Sequence, residues 1–203
     1  MKLRFFEKLL LNRWPRTWLM RKFEAPSVLS GLDVPPGCSC LEIGCGQGMG
    51  TMLISKHLEC GRLVGLDIDP DMIRLARRNL DRPPRWARGI RLDRIELVCG
   101  PAQTTGFEDA SFDAVVLFDV LHHIVEWRQA LVEVARVLKP GGVFSFEEAL
   151  IRDSALRFNR IFGHTPFEAQ ELRGALDAAG LEVRTFRLAL RGAMVFCRAV
   201  RPA

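Results

Sequence analysis

Apolar positions follow two different rhythms along this chain, and the change between them divides it. In the first stretch Leu3, Phe6, Leu10 and Trp14 recur at helical spacing, with Phe5 and Leu9 beside them. Pro15 disfavours helix at Trp14 and suits the first turn of a second helix over 16–23. The pattern predicts two short amphipathic helices with a corner between them. A helical turn within 25–32 follows before Pro35-Pro36-Gly37 breaks the chain.

From residue 38 onward, short apolar runs alternate with periodic stretches. Strands are predicted at 38–43, 62–67, 94–99, 112–118 and 143–147, and helices at 49–58, 72–80 and 127–138. Asp69-Pro70 supplies an N-cap and a first-turn proline for the second helix. Lys139-Pro140-Gly141-Gly142 stops the third. The run at 112–118 is almost continuously apolar, as in a parallel strand covered on both faces. Residues 81–93 read as a basic loop or broken helix extension, 100–110 as a loop, and 151–164, which have no period, as a lid. Thr165-Pro166-Phe167-Glu168 reads as a capping box opening a helix over 166–179, ended by Gly180. Residues 181–188 and 193–200 then pair around Gly192 as an antiparallel hairpin. Right-handed crossovers make the alternation a doubly wound α/β sheet, with its ligand crevice outside the C-terminal strand ends. The expected division is an arm over 1–34 and a domain over 35–203.

Composition narrows the class. A chain of 203 residues that is 48% hydrophobic buries a full core. No apolar run reaches the roughly 18–20 residues of a spanning helix, and charges run through the apolar part of the N-terminus, unlike a signal peptide. The six cysteines form no disulfide framework, which fits a reducing cytoplasm. Cys38-Ser39-Cys40 is too close and too isolated for a four-ligand zinc site, so no metal is expected. Charge is uneven. Residues 1–23 hold seven bases and one acid, whereas the whole chain is only +5, so residues 24–203 are slightly acidic.

The candidate chemistry lies at strand tips. Leu41-Glu42-Ile43-Gly44-Cys45-Gly46-Gln47-Gly48 is an apolar strand that breaks into a glycine turn before a helix. The second strand ends on Asp67, placed to accept hydrogen bonds from the hydroxyls of a ribose. A nucleoside-containing cofactor across these tips accounts for both. A nicotinamide dinucleotide wants a third glycine two residues after the second, and Met49 stands there. Asp67 is otherwise a loop or cap acid, and Glu42 otherwise orders the glycine turn.

With these residues in place, the chain resembles a class I S-adenosylmethionine-dependent methyltransferase of the ubiquinone/menaquinone-biosynthesis-like, type 11 group. Four segments carry the resemblance: Leu41–Gly48, Val64–Met72, Ser111–Val115 leading to Asp119-Val120-Leu121-His122-His123, and Glu133–Gly142. It implies a Rossmann-like seven-stranded sheet whose last strand is antiparallel. It places Glu42 below the methionine amino group of S-adenosyl-L-methionine. Gly44, Gly46 and Gly48 lie under the cofactor, Asp67 on the ribose, Ile68 on the adenine, and Phe118 and Asp119 along the methionine end. The family commonly reads Gly-Asp-Ala after the third strand, whereas this chain has Gly100-Pro101-Ala102. Adenine recognition then falls to backbone near Ala102 or to Gln103.

The acceptor side is less specified. A histidine side chain ordinarily titrates near neutrality, so His122 and His123 suit proton transfer, or they pack and cap a loop-to-helix corner. Glu147-Glu148 ends the fifth strand, where Glu147 orients an amine or hydroxyl substrate or is a solvated strand end. His164 precedes the helix beside the lid and is a substrate contact or structural. The basic arm has three readings: a lid over the cofactor, a contact of residues 1–23 with an anionic membrane surface, or a hold on nucleic-acid phosphates. Base methylation is disfavoured because the fourth strand ends Phe118-Asp119-Val120-Leu121, without an Asn/Asp-Pro-Pro-Tyr/Phe motif. The expected function is methyl transfer to a small, lipophilic molecule by a cytoplasmic enzyme, peripheral at the inner membrane surface through its arm. The alternatives are an S-adenosylmethionine-binding protein without catalysis and an RNA methyltransferase.

Overall fold

The structure, a computed structural model, describes residues 18–150 and 167–203. The first arm helix, the lid at 151–164, and His164, Thr165 and Pro166 lie outside the described residues. Helix is continuous from Trp18 through a π-helical turn, Met20–Glu24, into α1, Ala25–Leu29. Then follow β1 (Ser39–Ile43), α2 (Met49–His57), β2 (Arg62–Asp67), α3 (Pro70–Asp81), β3 (Ile95–Cys99), β4 (Phe112–Phe118), α4 (Trp127–Val137), β5 (Leu138–Ala149), α5 (Ala169–Ala178), β6 (Glu182–Ala189) and β7 (Met194–Val200). The seven strands make one sheet in the order β3-β2-β1-β4-β5-β7-β6. The first five are parallel, and β7 runs antiparallel between β5 and β6. Strand order therefore reverses between β1 and β4, whose tips Ile43 and Leu117 are partners.

Alternation along β4 shows how the sheet is covered. Ala114, Val116 and Phe118 join a cluster with Met20, Val28 and Leu29 of the N-terminal helix and Leu53 and Ile54 of α2. Phe112, Val115 and Leu117 face the other way, into a cluster with Trp127, Leu131 and Val134 of α4 and Leu172 and Leu176 of α5. Both faces are thus dry, which is why the sequence run is apolar apart from Asp113. Ser145 in β5 donates its hydroxyl to the Val28 carbonyl at 2.7 Å, tying the N-terminal helix to the sheet centre. Among the described residues, no helix is long and apolar enough to cross a membrane.

Two predicted boundaries move by three residues or more. Lys139-Pro140-Gly141-Gly142 does more than stop α4, because β5 starts at Leu138, which pairs with Phe112. The register then shifts, and Lys139 reaches Asp113 at 2.8 Å across the irregularity. The late helix begins at Ala169, three residues after the expected start. Glu168 is the N-cap and Glu171 reaches back to it, so the capping box lies further along than Thr165. Glutamate closes the same reciprocal pair of hydrogen bonds that threonine was expected to open.

Candidate functional site

The tips of β1, β2 and β4 surround one cavity of about 240 Å³. Its floor is the turn after β1. The backbone amides of Gly44 and Cys45 both donate to the Leu66 carbonyl, at 2.8 and 3.0 Å, which bends the chain over the end of β2. Gly44 has φ +74, and a Cβ there would lie 2.5 Å from both γ-carbons of Val120. A side chain would meet the wall across the cavity, so this position needs glycine for conformation and for space.

Asp67 ties the turn to β2. One carboxylate oxygen accepts from the Gly46 amide and the other from the Asp69 amide, both at 2.8 Å. Asp69 is the α3 N-cap, accepting from the Asp71 amide at 2.9 Å. Asp67 is 9% exposed and lines the cavity. Glu42 lies deeper, wholly within the protein, and accepts the Thr51 hydroxyl at 2.5 Å. Burial pushes its carboxyl up to about 8, against the Thr51 hydrogen bond and with help from the Asp67 charge. The first turn of α2 closes on it so tightly that a Cβ at Gly50 would fall 1.9 Å from a Glu42 oxygen. The site therefore keeps a proton near Glu42 that a cationic ligand would displace.

The opposite wall follows β4. Asp119 takes a left-handed conformation, φ +55, and both its backbone amide and its side chain reach β5. The amide donates to the Glu147 carbonyl and the carboxylate accepts from the Ala149 amide, each at 3.0 Å. A 3-10 turn, Leu121–His123, follows. Glu148 accepts the Leu121 amide at 2.6 Å, and its other oxygen pairs with His122 Nδ1. Burial pushes the Glu148 carboxyl above the usual range, partly offset by His122. The His122 ring packs on His123 with centroids 4.1 Å apart. Ligand-type atoms of Asp119, His122 and Glu148 lie within 4.8 Å of one another, a grouping the sequence did not suggest. Backbone amides already donate to two of its carboxylate oxygens.

The structure brings most of the sequence candidates to this cavity: Glu42, Gly44, Gly46, Asp67, Ile68, Ala102, Gln103, Phe118, Asp119 and His123 line it. Gln103 also donates to Glu126, another lining residue, at 3.1 Å. Gly48, His122 and Glu147 do not line the cavity. Gly48 is the left-handed N-cap of α2, packed against Ala76. His122 is 5% exposed and paired with Glu148 behind the wall. Glu147 is neither at the cavity nor a solvated strand end. It is fully buried, because β5 is flanked by both β4 and β7 at this level, with Glu147 opposite Phe118 and Phe196.

Sequence reasoning missed an apolar wall made by Met20, Met49, Val120, Ile124 and Val125. Four of these stand beside recognised motifs and were legible by position. Met20 was not, since only folding brings the N-terminal helix to the strand tips.

A family model described as a methyltransferase domain matches residues 41–146, just over half of the chain. The chain is 32% identical over 132 residues to the fatty-acid O-methyltransferase of Mycolicibacterium smegmatis, covering 65% of this chain and 44% of that protein. It is 31% identical over 112 residues to the demethylmenaquinone methyltransferase of Bacillus cereus, covering 55% of this chain and 44% of that one. The chain spans less than half the length of these curated relatives. In fold it is similar to an S-adenosylmethionine-dependent methyltransferase from Aquifex aeolicus, with a TM-score of 0.76, 17% identity, and coverage of 98% of this chain and 100% of that one.

Proposed function

The chain belongs to the methyltransferase domain family, in the type 11 group of class I S-adenosylmethionine-dependent enzymes, and on that premise we propose that it methylates a small lipophilic molecule. One observation carries the proposal: the glycine turn, the acids Glu42 and Asp67, and an apolar wall share a single cavity. The residues fit the cofactor. Glu42 would hold its ammonium, Asp67 its ribose hydroxyls, and Ile68, 47% exposed at the rim, the face of its adenine. A carboxylate oxygen accepts more than one hydrogen bond, so the two backbone amides do not exhaust Asp67. When bound, S-adenosylmethionine supplies an activated methyl group on a sulfonium.

The chain's own residues then position and shield. Met20, Met49, Phe118 and Val120 exclude water and suit an aliphatic or aromatic acceptor. Holding the attacking atom in line is worth roughly 7–11 kcal/mol in the best cases. Where the acceptor arrives as a hydroxyl, His123 takes its proton, while His122, held by Glu148, buttresses the His123 ring. Where it arrives as a carboxylate, no base is needed. The fatty-acid and demethylmenaquinone methyltransferases among its relatives support a lipophilic acceptor.

The test is turnover. Purified protein is incubated with S-adenosylmethionine and a lipid extract, and S-adenosylhomocysteine and methylated products are followed by mass spectrometry. Product formation dependent on the extract is expected. Saturable binding of S-adenosylhomocysteine with no turnover on any extract would favour a binding protein instead.

A further inference from the structure

The outer surface of the helical layer that supplies Met20 has an unusual composition. Trp18, Leu19 and Phe23 are 48, 42 and 55% exposed, and the Trp18 and Phe23 rings meet edge to face at 5.5 Å. The Arg21 guanidinium lies over the Trp86 ring, 4.6 Å from its centroid. The Lys56 ammonium, at the end of α2, bonds the Trp86 carbonyl. Trp86 itself sits in the 3-10 turn Arg85–Ala87, with exposed Arg82 and Arg88 on either side. Arg21 and Lys56 thus meet at Trp86, and Lys22, Arg82, Arg85 and Arg88 stand within a few residues of these contacts, so six bases come from three separate segments. Among the described residues, none of the six makes an ion pair.

A surface of this kind matches a layered partner, anionic outside and apolar beneath. Cations are drawn to the headgroups, while the amphipathic Trp18 indole and the apolar Phe23 ring enter the boundary beneath them. Nucleic acid would satisfy the arginines and stack on Trp18, but it offers nothing to Leu19 or to the bare edge of Phe23. The charge continues along the sequence, since residues 1–17 add Lys2, Arg4, Lys8, Arg13 and Arg16 against the single acid Glu7. Geometry links the surface to the site. Met20 lines the cavity, while its neighbours Trp18, Leu19, Lys22 and Phe23 are exposed. A molecule leaving a bilayer at this helix would have one helix turn between it and the cavity.

We infer that the face formed by Trp18, Leu19, Phe23 and the six bases docks on an anionic lipid bilayer, with the cavity mouth at the membrane surface. This rests on the proposed lipophilic acceptor, which gives the enzyme a reason to be there. Lys and Arg near an anionic leaflet each strengthen attachment, and salt weakens it within a Debye length.

The full chain is tested by co-sedimentation with vesicles of phosphatidylcholine alone and of phosphatidylcholine mixed with phosphatidylglycerol. Binding is expected to the anionic vesicles only, and to fall as salt is raised. The triple variant Arg82→Glu/Arg85→Glu/Arg88→Glu is expected to bind them at least about tenfold more weakly. Its S-adenosylhomocysteine affinity, measured by calorimetry, is expected to stay unchanged. Trp18→Ala/Phe23→Ala is expected to lose binding severalfold while keeping the salt dependence of what remains. The proposal is overturned if the wild type ignores anionic vesicles, if the charge-reversed variant partitions like the wild type, or if a homopolymeric RNA outcompetes the vesicles. Failure of S-adenosylhomocysteine to bind the wild type would overturn the functional reading while leaving the vesicle result to be read on its own.

Discussion

The two walls of the cavity are built by different means. Around β1 and β2, carboxylates grip backbone: Asp67 holds the amides of Gly46 and Asp69, and the turn hangs from the Leu66 carbonyl. Around β4 and β5, carboxylates take backbone amides too, but here Glu148 also holds a side chain, His122, which packs on His123. The first wall presents a shape made of main chain, suited to a ligand that is the same in every member of a family. The second depends on residue identity and can change acceptor without disturbing the turn. The walls touch at Gly44 and Val120.

That contact is where the contrast breaks most easily. Gly44→Ala places a Cβ in a left-handed residue and against Val120, so S-adenosylhomocysteine binding should fall by about a hundredfold, with a loss of stability of roughly 1–3 kcal/mol. Calorimetry and urea melts measure both. Adding Val120→Ala should restore part of each loss, and a strictly additive double variant would show that the walls are independent.

Asp67→Ala should weaken S-adenosylhomocysteine on the order of tenfold or more, through loss of charge-assisted hydrogen bonds to the ribose and of the Gly46 anchor. Unchanged affinity would remove Asp67 from the cofactor wall. On the other wall, Glu148→Gln keeps an acceptor for Leu121 but takes the charge from His122. It should leave S-adenosylhomocysteine affinity within about threefold while slowing turnover about tenfold and altering its pH profile. Equal loss of both would mean that Glu148 only holds the fold.

The most gradual effect separates the walls by pH. Glu42 is raised to about 8 in the folded protein from 4.5. Between those values the unfolded chain has released this proton and the folded chain keeps it, so stability falls as pH rises through the window, by at most about 1.4 kcal/mol per pH unit. Urea melts at several pH values should show a slope that Glu42→Gln flattens. The ammonium of the cofactor favours ionised Glu42, so affinity should rise towards pH 8 in the wild type and not in Glu42→Gln.

How much of this was legible follows the same division. Strands at 62–67 and 112–118 were predicted to the residue, because apolar runs bounded by turns are local signals. The Asp69 cap and its proline were legible too, since a cap acts over two or three residues. The start of β5 was not, because the pairing of Leu138 with Phe112 lies across a crossover and nothing near Pro140 announces it. Among candidate site residues, Gly44 and Gly46 line the cavity as the resemblance implied and Gly48 does not, whereas His122 and His123 look alike in sequence and only the turn at 121–123 sends them to different environments.

What the sequence by itself determined is the order of elements, the bend at 44–48 and the acids at the tips of β1 and β2, because each depends on neighbours within a few residues. What only the tertiary structure decided is which polar side chains meet the cavity. β5 ends up inside the sheet, between β4 and β7, with Glu147 and Glu148 buried on its two opposite faces, a result that no local window contains. Met20 reaches the strand tips by packing over the sheet rather than by any motif. Burial is set by what lies across space, and residues far apart in the chain supply it.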